Sequence, residues 1–197
     1  MSSVIEIGQL VVRERQSRVR ASSEELTACF HDDATVATSW TAGNAATFVA
    51  GAAERSATSP GPIVNRIGPP VIEVNGRRGF VELPSTTTRW IPVNGVEAVL
   101  VSFMRLLYRV EERGGVWRIS AMHAVNEGDT LEPAEPGTDL GIDREALNGL
   151  RHSYRYLAYT HSLDGIETSR DLYGIDRPAD LAALYDDADK WLDEALP

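Results

Sequence analysis

Three tight-turn signals constrain the fold of this chain more than any other feature. Asn75-Gly76, Asn94-Gly95 and Gly114-Gly115 each separate two β-prone segments, and such dipeptides supply the positive φ angles that two-residue hairpin turns need. The spacing predicts three consecutive hairpins and therefore a four-stranded antiparallel meander. Pro69-Pro70 interrupts the first strand and removes two backbone donors, so we expect a bend or bulge there and a strongly curved sheet.

The chain before the meander has helical periodicity. Four apolar residues predict a first helix that continues to about residue 20: Val4, Ile7, Leu10 and Val11. Residues 22–30 begin with a serine cap and predict a second helix, which ends at the segment HDDA, residues 31–34. Residues 35–40 alternate like a short strand, and the alanine-rich residues 44–57 predict a third helix despite Gly51.

The chain after the meander combines an acidic connector with amphipathic helices. The connector is rich in proline and glycine and covers residues 128–142, and helices are expected over 143–163 and from Pro178. Seven residues of the last helix form one apolar stripe: Leu181, Leu184, Tyr185, Ala188, Trp191, Leu192 and Ala195. Such a stripe favours packing over solvation.

The net charge of −10 lies entirely after residue 127. Residues 1–127 carry 13 acidic and 13 basic side chains, whereas residues 128–197 carry 16 and 6. An acidic chain without a basic stripe is repelled by phosphate backbones, which argues against a nucleic-acid partner. Eighteen of the nineteen basic residues are arginine, a bias to which we assign no function.

Several classes of protein are disfavoured by what the sequence lacks. There is no apolar run near the ~18 residues of a membrane span and no N-terminal export pattern, so we expect a cytoplasmic protein without a membrane partner. Cys29 is the only cysteine, which excludes an internal disulfide, and we expect it to be buried. No dinucleotide, phosphate-loop or hydrolase-elbow motif occurs.

His31, Asp32 and Asp33 are adjacent and could bind a metal or transfer a proton. Metal sites draw three or four ligands from separate segments, and the chain has four histidines and no HExxH motif. Aspartates at a helix end also satisfy backbone amides. We therefore interpret these residues as scaffolding and expect no metal.

Several segments resemble the SnoaL-like branch of the nuclear transport factor 2 superfamily. They are LTACFHDDATVATSW, VEERGGVWRIS and VNEGDTLEPAEPG, and YRYLAYTHSLDG and LYDDADKWL resemble bacterial members with an added tail. The resemblance implies an α+β fold in which a curved antiparallel sheet and three N-terminal helices form a cone. It divides the chain into a cone domain (1–127), the connector (128–142) and a helical C-terminal extension (143–197).

The resemblance also implies a function inside the cone. Scytalone dehydratase, ketosteroid isomerase and the SnoaL-like polyketide cyclases use no cofactor and move protons with buried Asp, His and Tyr. It therefore implies a small apolar or aromatic ring compound as ligand and no cofactor. By approximate alignment, the dehydratase-like Tyr and Asp positions fall near Arg15 and Val19, and Asn65 takes the place of the His.

Two residues are the catalytic candidates. Period-2 geometry puts His123 on one face of the last strand with Trp117, so we expect its ring to point into the cone as acid or base. Asn65 would orient polar groups. The candidates for substrate binding are Glu14, Arg15, Trp40 and Trp117. For each candidate a structural role, as core residue or solvated helix face, remains the alternative.

Two functions remain open from the sequence. One is an isomerase, dehydratase or cyclase that acts by proton transfer. The other is a non-catalytic ligand-binding or assembly module that resembles the small subunit of aromatic-ring-hydroxylating dioxygenases, which the missing Tyr, Asp and His favour. Both faces of residues 96–110 are apolar, so a homo-oligomer through the outer sheet face is expected in either case. The tail would clasp a partner protomer or cover the cone mouth.

Overall fold

The computed structural model describes residues 2–194 and begins with three helices, as the periodicity predicted. The helices are α1 (Ser3–Val19), α2 (Ser23–Ala28) and α3 (Ala45–Thr58), and two strands, β1 (Phe30–Ala37) and β2 (Ala42–Asn44), lie between α2 and α3. Helix α1 buries Ile7, Leu10 and Val11, the stripe that predicted it. Ala195 of the predicted C-terminal stripe lies outside the described residues.

The predicted meander is present and its first strand is divided. The strands are β3 (Ile63–Ile67), β4 (Val71–Asn75), β5 (Arg78–Val93), β6 (Val96–Arg113) and β7 (Val116–Pro133). Strands β3 and β4 both pair with β5, and Pro69-Pro70 lies between them. Positive φ angles at Asn94, Gly95, Gly114 and Gly115 make the next two hairpins, as these turn residues predicted.

The sheet has two differently covered faces. Its strand order is β2-β1-β7-β6-β5-β3, with β4 also on β5, and every pair is antiparallel except β1 with β7. The concave face carries Leu83, Leu106 and Tyr108, which pack in one core with α1 and α3. The convex face carries Phe80 and Leu107. The α+β fold with a curved sheet and N-terminal helices is confirmed.

The C-terminal extension packs on both faces of the sheet. Its elements are α4 (Arg144–Asn148), a 3-10 turn (His152–Tyr154), α5 (Arg155–Leu163) and α6 (Pro178–Asp193). Helices α4 and α5 cover the far end of the concave face, at Ile91, Val93, Ala98 and Leu100. Helix α6 lies across the convex face of the same chain, and its stripe is buried there, as expected from the pattern.

Two element boundaries in the C-terminal part of the chain differ from the sequence interpretation. The expected helix over 143–163 is divided into α4 and α5, because residues 149–151 are not helical. Strand β7 continues to Pro133, so the expected connector over 128–142 begins as strand. Its backbone pairs with β6 through the register of Ala98 with Pro133, and this long-range pairing overrides the local composition.

The HDDA segment belongs to a strand and not to the end of a helix. Strand β1 begins at Phe30, and an irregular register between Phe30 and Thr35 separates its two pairings with β7. His31 Nε2 lies 3.0 Å from the carbonyl oxygen of Glu111, and the Asp33 carboxylate pairs with Arg113 at 2.7 Å. These contacts link β1 to the end of β6, which is a scaffolding role.

A bulge in β7 changes which residues face the core. Arg109 pairs with Ala121 and Val110 pairs with Ile119, so Ser120 is an extra residue without a partner. One extra residue reverses the alternation of the strand beyond it. Ile119 and Met122 therefore share the core. The expectation that His123 shares a face with Trp117 is wrong for this reason.

Candidate functional site

A cavity of about 330 Å³ lies between the concave face and helices α1, α3 and α5. Part of its wall is apolar, from residues Val19, Trp40, Ala52, Ile63, Met104, Leu106, Ala124 and Leu157. Six hydroxyl side chains add polar surface: Thr38, Ser39, Ser56, Ser59, Thr87 and Ser102. The cavity therefore offers apolar and polar surface together, and its volume is at the small end of the range of small-molecule sites.

Three arginines from three different elements line the cavity. They are Arg18 from α1, Arg55 from α3 and Arg89 from β5. Arg89 is on the concave face because it pairs with Leu100 of β6 in the same register that pairs Leu83 with Leu106. None of the lining residues within the described chain is acidic. The cavity is therefore positively charged and apolar at once.

An aromatic wall holds one of these arginines. The Trp40 ring stacks on Phe48 with 5.2 Å between ring centroids, and the Arg55 guanidinium lies 5.1 Å from the centre of the Trp40 ring. The ring also lies against Gly51, where a Cβ atom would be only 2.8 Å from it. Glycine is therefore required in α3 for this close approach.

Asn65 is the centre of a hydrogen-bond network at the cavity wall. Its Oδ1 atom accepts hydrogen bonds from Arg15 Nη2 at 2.5 Å and from Thr87 Oγ1 at 2.7 Å. Arginine can only donate, so this contact fixes which end of the Asn65 amide is oxygen. The amide NH₂ group remains, and it can only donate.

Arg18 differs from the other two cavity arginines because it has an acidic partner. Its Nη1 atom lies 3.4 Å from Glu14 Oε1, and Glu14 Oε2 accepts a hydrogen bond from the Tyr108 hydroxyl at 2.9 Å. Glu14 and Tyr108 are both fully buried. Burial and the nearby Glu14 raise the pKa of Tyr108 well above its ordinary value, so the phenol is a neutral donor.

Burial and the positive charges of the cavity lower the pKa values of the groups in and next to it. Burial, together with Arg89 and Arg18, lowers the pKa of Arg55 to about 10, and burial lowers the pKa of Arg89. On the adjacent helix α5, burial and then the fields of Arg55 and Arg89 lower the pKa of His161 to about 4. The arginines remain cationic at neutral pH, and His161 is neutral.

The structure brings four of the six predicted residues to the cavity or next to it. Trp40 and Asn65 line it directly. Arg15 contacts Asn65, and Glu14 contacts Arg18. Glu14 and Arg15 are buried under the helix and so do not lie on a solvated face.

The remaining two predicted residues do not line the cavity. Trp117 is a member of the main core. His123 pairs with Leu107, on the convex side of the sheet, and its ring makes an edge contact with Tyr173, with 5.8 Å between centroids. Burial and the nearby Arg109 lower its pKa. His123 therefore lies on the opposite side of the sheet from the cavity.

The sequence interpretation did not identify the three arginines that line the cavity. Arg89 directly follows the run Thr86–Thr88, and the face to which this run points decides the position of Arg89. Once Leu83 is assigned to the core, period-2 geometry puts Thr87 and Arg89 on the same face, which was the available signal. Arg55 is a lone cation in an alanine-rich helix, and no comparable signal marks it.

Comparison with known protein families identifies the family of this chain. Residues 2–123 match the SnoaL-like domain family. The chain belongs to the SnoaL-like family. A PEP2-like protein of Fusarium vanettenii is 28% identical over 129 residues, which are 62% of this chain and 55% of that protein. The chain thus spans about half the length of this curated relative.

Solved structures show the same fold at low sequence identity. A type 2 hexachlorocyclohexane dehydrochlorinase is 16% identical with a TM-score of 0.56, and the match covers 71% of this chain and 95% of that one. A scytalone dehydratase-like protein of Novosphingobium aromaticivorans is 13% identical with a TM-score of 0.55, covering 72% and 95%. At these identities the similarity shows the SnoaL-like fold of the family alone.

The described residues lack a membrane-spanning helix and a cluster of metal ligands. No helix among residues 2–194 is long and apolar enough to cross a membrane. No group of three or more His, Cys, Asp or Glu side chains in that part of the chain is arranged to hold a metal ion.

Proposed function

We propose that this SnoaL-like protein binds a small ring compound in the cavity of the cone. The observation that carries the proposal is the cavity itself, with apolar walls at Trp40, Met104 and Leu106 and with Asn65 as a fixed hydrogen-bond donor. Aromatic side chains bind planar rings well because they bury a large apolar area. The structural similarity to a scytalone dehydratase-like protein and to a dehydrochlorinase agrees with a ligand inside this fold.

Binding is better supported than proton transfer. Of the residues that the structure describes around the cavity, none is a His, Asp, Glu, Cys, Tyr or Lys, and these are the usual acids and bases of enzymes. Arginine does not exchange its proton readily near neutral pH. The non-catalytic alternative from the sequence is therefore the proposal, and the isomerase, dehydratase or cyclase activity is not assigned.

A variant that fills the cavity tests the proposal. Ala52 lines the cavity, so Ala52→Phe places a ring inside it, whereas Ala50 is an exposed residue of the same helix and Ala50→Phe is the matched control. We expect monocyclic and bicyclic ring fragments to bind the wild type and A50F, and not A52F, in ligand-observed NMR. Equal binding to A52F would place the site elsewhere.

The homo-oligomer through the outer sheet face stays a prediction. Helix α6 covers part of that face in the same chain, which accounts for some of its apolar character. Phe103 of β6 remains 41% exposed, and its residue number puts it on the same face as Leu107. Light scattering measures the assembly, and a reduction of its mass by Phe103→Ser would identify this face as the contact. The cytoplasmic location also stays a prediction.

A further inference from the structure

Two of the three positive charges of the cavity lack negative partners. Arg55 and Arg89 make no hydrogen bond or ion pair with any residue between 2 and 194, and the Nε atom of Arg89 is buried without a partner. Asp164 is the carboxylate whose field reaches Arg89, but it is not in contact. Behind the wall, Arg15 is only 2% exposed, and its Nε and Nη1 atoms also have no partner.

The other polar group of the cavity offers a donor as well. Asn65 Oδ1 is occupied by Arg15 and Thr87, so the group that Asn65 has left is its NH₂. Two guanidinium groups and an amide NH₂ therefore line the same cavity, and all three can only donate hydrogen bonds. Guanidinium groups match the planar geometry of a carboxylate, with two parallel hydrogen bonds.

Withdrawing charges from water is costly unless they are paired. The fold nevertheless directs two unpaired guanidinium groups into a cavity with apolar walls. A ligand that carries a negative charge would pair them, and the strength of that pairing would be increased by the low dielectric of the site. A neutral ring would leave both cations unpaired.

We infer that the ligand of this cavity is an acidic ring compound, whose carboxylate pairs with Arg55 and Arg89 while its ring lies against apolar lining side chains such as Met104 and Leu106. This inference rests on the proposed function, since it names the chemical class of the compound that the cone binds. The small volume of the cavity favours a compound of one or two rings.

Matched pairs of probes test the inference separately from the proposed function. Benzoate, 2-naphthoate and biphenyl-4-carboxylate are each compared with the corresponding primary amide, which has nearly the same shape and no charge. We expect the carboxylate of the best-binding pair to bind roughly 10- to 100-fold more tightly than its amide, the ratio for a hydrogen-bonded charge pair. Its affinity falls with added NaCl, and that of the amide does not.

Neutral variants of the arginines identify the groups responsible. Arg55→Gln and Arg89→Gln should each reduce the ratio of the affinity for the carboxylate to the affinity for the amide. Arg118→Gln is the control, since Arg118 is an exposed residue of β7 and its replacement changes the net charge equally, and it should leave this ratio as in the wild type. Circular dichroism of each variant shows whether the fold is intact.

Three results would overturn the inference. If carboxylate and amide of every pair bind equally, the ligand is a neutral ring compound, so the inference fails while the proposed function holds. If the preference persists in R55Q and in R89Q, the anion is bound by other groups. If no carboxylate or amide binds to the wild type, the proposed function fails together with the inference.

Discussion

Arginines on the two faces of one sheet have opposite surroundings. On the convex face, Arg78 donates to the carbonyl oxygen of Trp191 at 2.5 Å, Arg105 donates to the Tyr185 hydroxyl at 2.9 Å, and Arg109 pairs with Asp187 at 2.6 Å. All three partners belong to helix α6. On the concave side, Arg89 of β5 and Arg55 of the covering helix α3 have no hydrogen-bond or ion-pair partner among the described residues.

The different surroundings of these arginines follow from where the acidic C-terminal segment packs. The segment after residue 127 carries all of the net negative charge, and α6 brings part of it to the basic convex face. Helix α5 reaches the cavity with the apolar Leu157 and not with an acid. The same residue type is therefore hydrogen-bonded to helix α6 on one side of the sheet and without an acidic partner on the other.

The largest expected effect concerns the one cavity arginine that is paired. Glu14→Ala removes a fully buried carboxylate and leaves Arg18 and the Tyr108 hydroxyl without it. Removing one partner of a buried charge pair costs about 3–5 kcal/mol of the free energy of unfolding. Urea unfolding followed by circular dichroism measures this. The exposed Glu24 of α2 is the control, and Glu24→Ala should change stability by less than about 0.5 kcal/mol. Equal effects would mean that the paired cation does not depend on Glu14.

The next effect tests whether α6 is bound to the convex face by its apolar stripe. Leu184 is 8% exposed in the cluster with Phe80 and Leu107, so Leu184→Ala should cost about 2–5 kcal/mol. Leu163, at the end of α5, is 44% exposed, and Leu163→Ala should cost less than about 1 kcal/mol. The same urea titration compares them. A negligible effect of L184A would mean that the tail is held by its charges alone.

The field of the unpaired arginines should appear in the pH dependence of stability. His161 has a pKa of about 4 in the folded chain and about 6.5 when unfolded. Between these values the unfolded chain binds a proton that the folded chain does not, so stability is complete above pH ~6.5 and falls as the pH drops toward 4. The slope from this group is at most about 1.4 kcal/mol per pH unit.

His161→Asn should remove this part of the slope, measured by urea unfolding at pH 7 and pH 5. His152 is exposed, and His152→Gln should leave the slope unchanged. In R55Q and R89Q the loss of stability at low pH should also be smaller, because both arginines oppose the charge on His161. An unchanged slope in H161N would show that His161 does not have the lowered pKa, and an unchanged slope in R55Q and R89Q would show that the cavity charges do not reach α5.

The smallest expected effect is that replacing an arginine changes the free energy of unfolding in opposite directions on the two faces of the sheet. Arg109→Gln removes an ion pair whose acidic partner Asp187 is 70% exposed, and it should lower the free energy of unfolding by up to about 1 kcal/mol. Arg89→Gln removes a cation without a partner, and it should leave stability unchanged or raise it by up to about 1 kcal/mol. Thermal unfolding of the ligand-free proteins resolves this as a Tm difference of a few degrees. Destabilisation of both variants to the same extent would remove the contrast.

Much of the fold could be predicted because its signals are local. The turn dipeptides at residues 94–95 and 114–115, the interruption at Pro69-Pro70 and the stripe of α1 each determine their element through backbone sterics or periodic burial. Within the site, Asn65 was found because the family resemblance fixed its approximate place, and Trp40 because it lies at the end of the strand expected over residues 35–40. These predictions needed no knowledge of which residues meet across the sheet.

The errors all have a non-local cause. A single extra residue at Ser120, visible only in the pairing of β7 with β6, turns His123 to the convex face. Side chains alternate between the two faces of a strand, and one extra residue at a bulge reverses this alternation for the residues that follow. The start of β1 at Phe30 likewise depends on a parallel partner far along the chain.

The sequence by itself determined the curved meander, the N-terminal helices, the α6 stripe and the concentration of negative charge in the tail, because each depends on neighbouring residues or on composition. Tertiary structure alone decided that Arg55 and Arg89 meet in one cavity and that the tail acids pair with arginines on the other face. Charges interact through space, and the partner of a side chain is fixed only when distant segments come together.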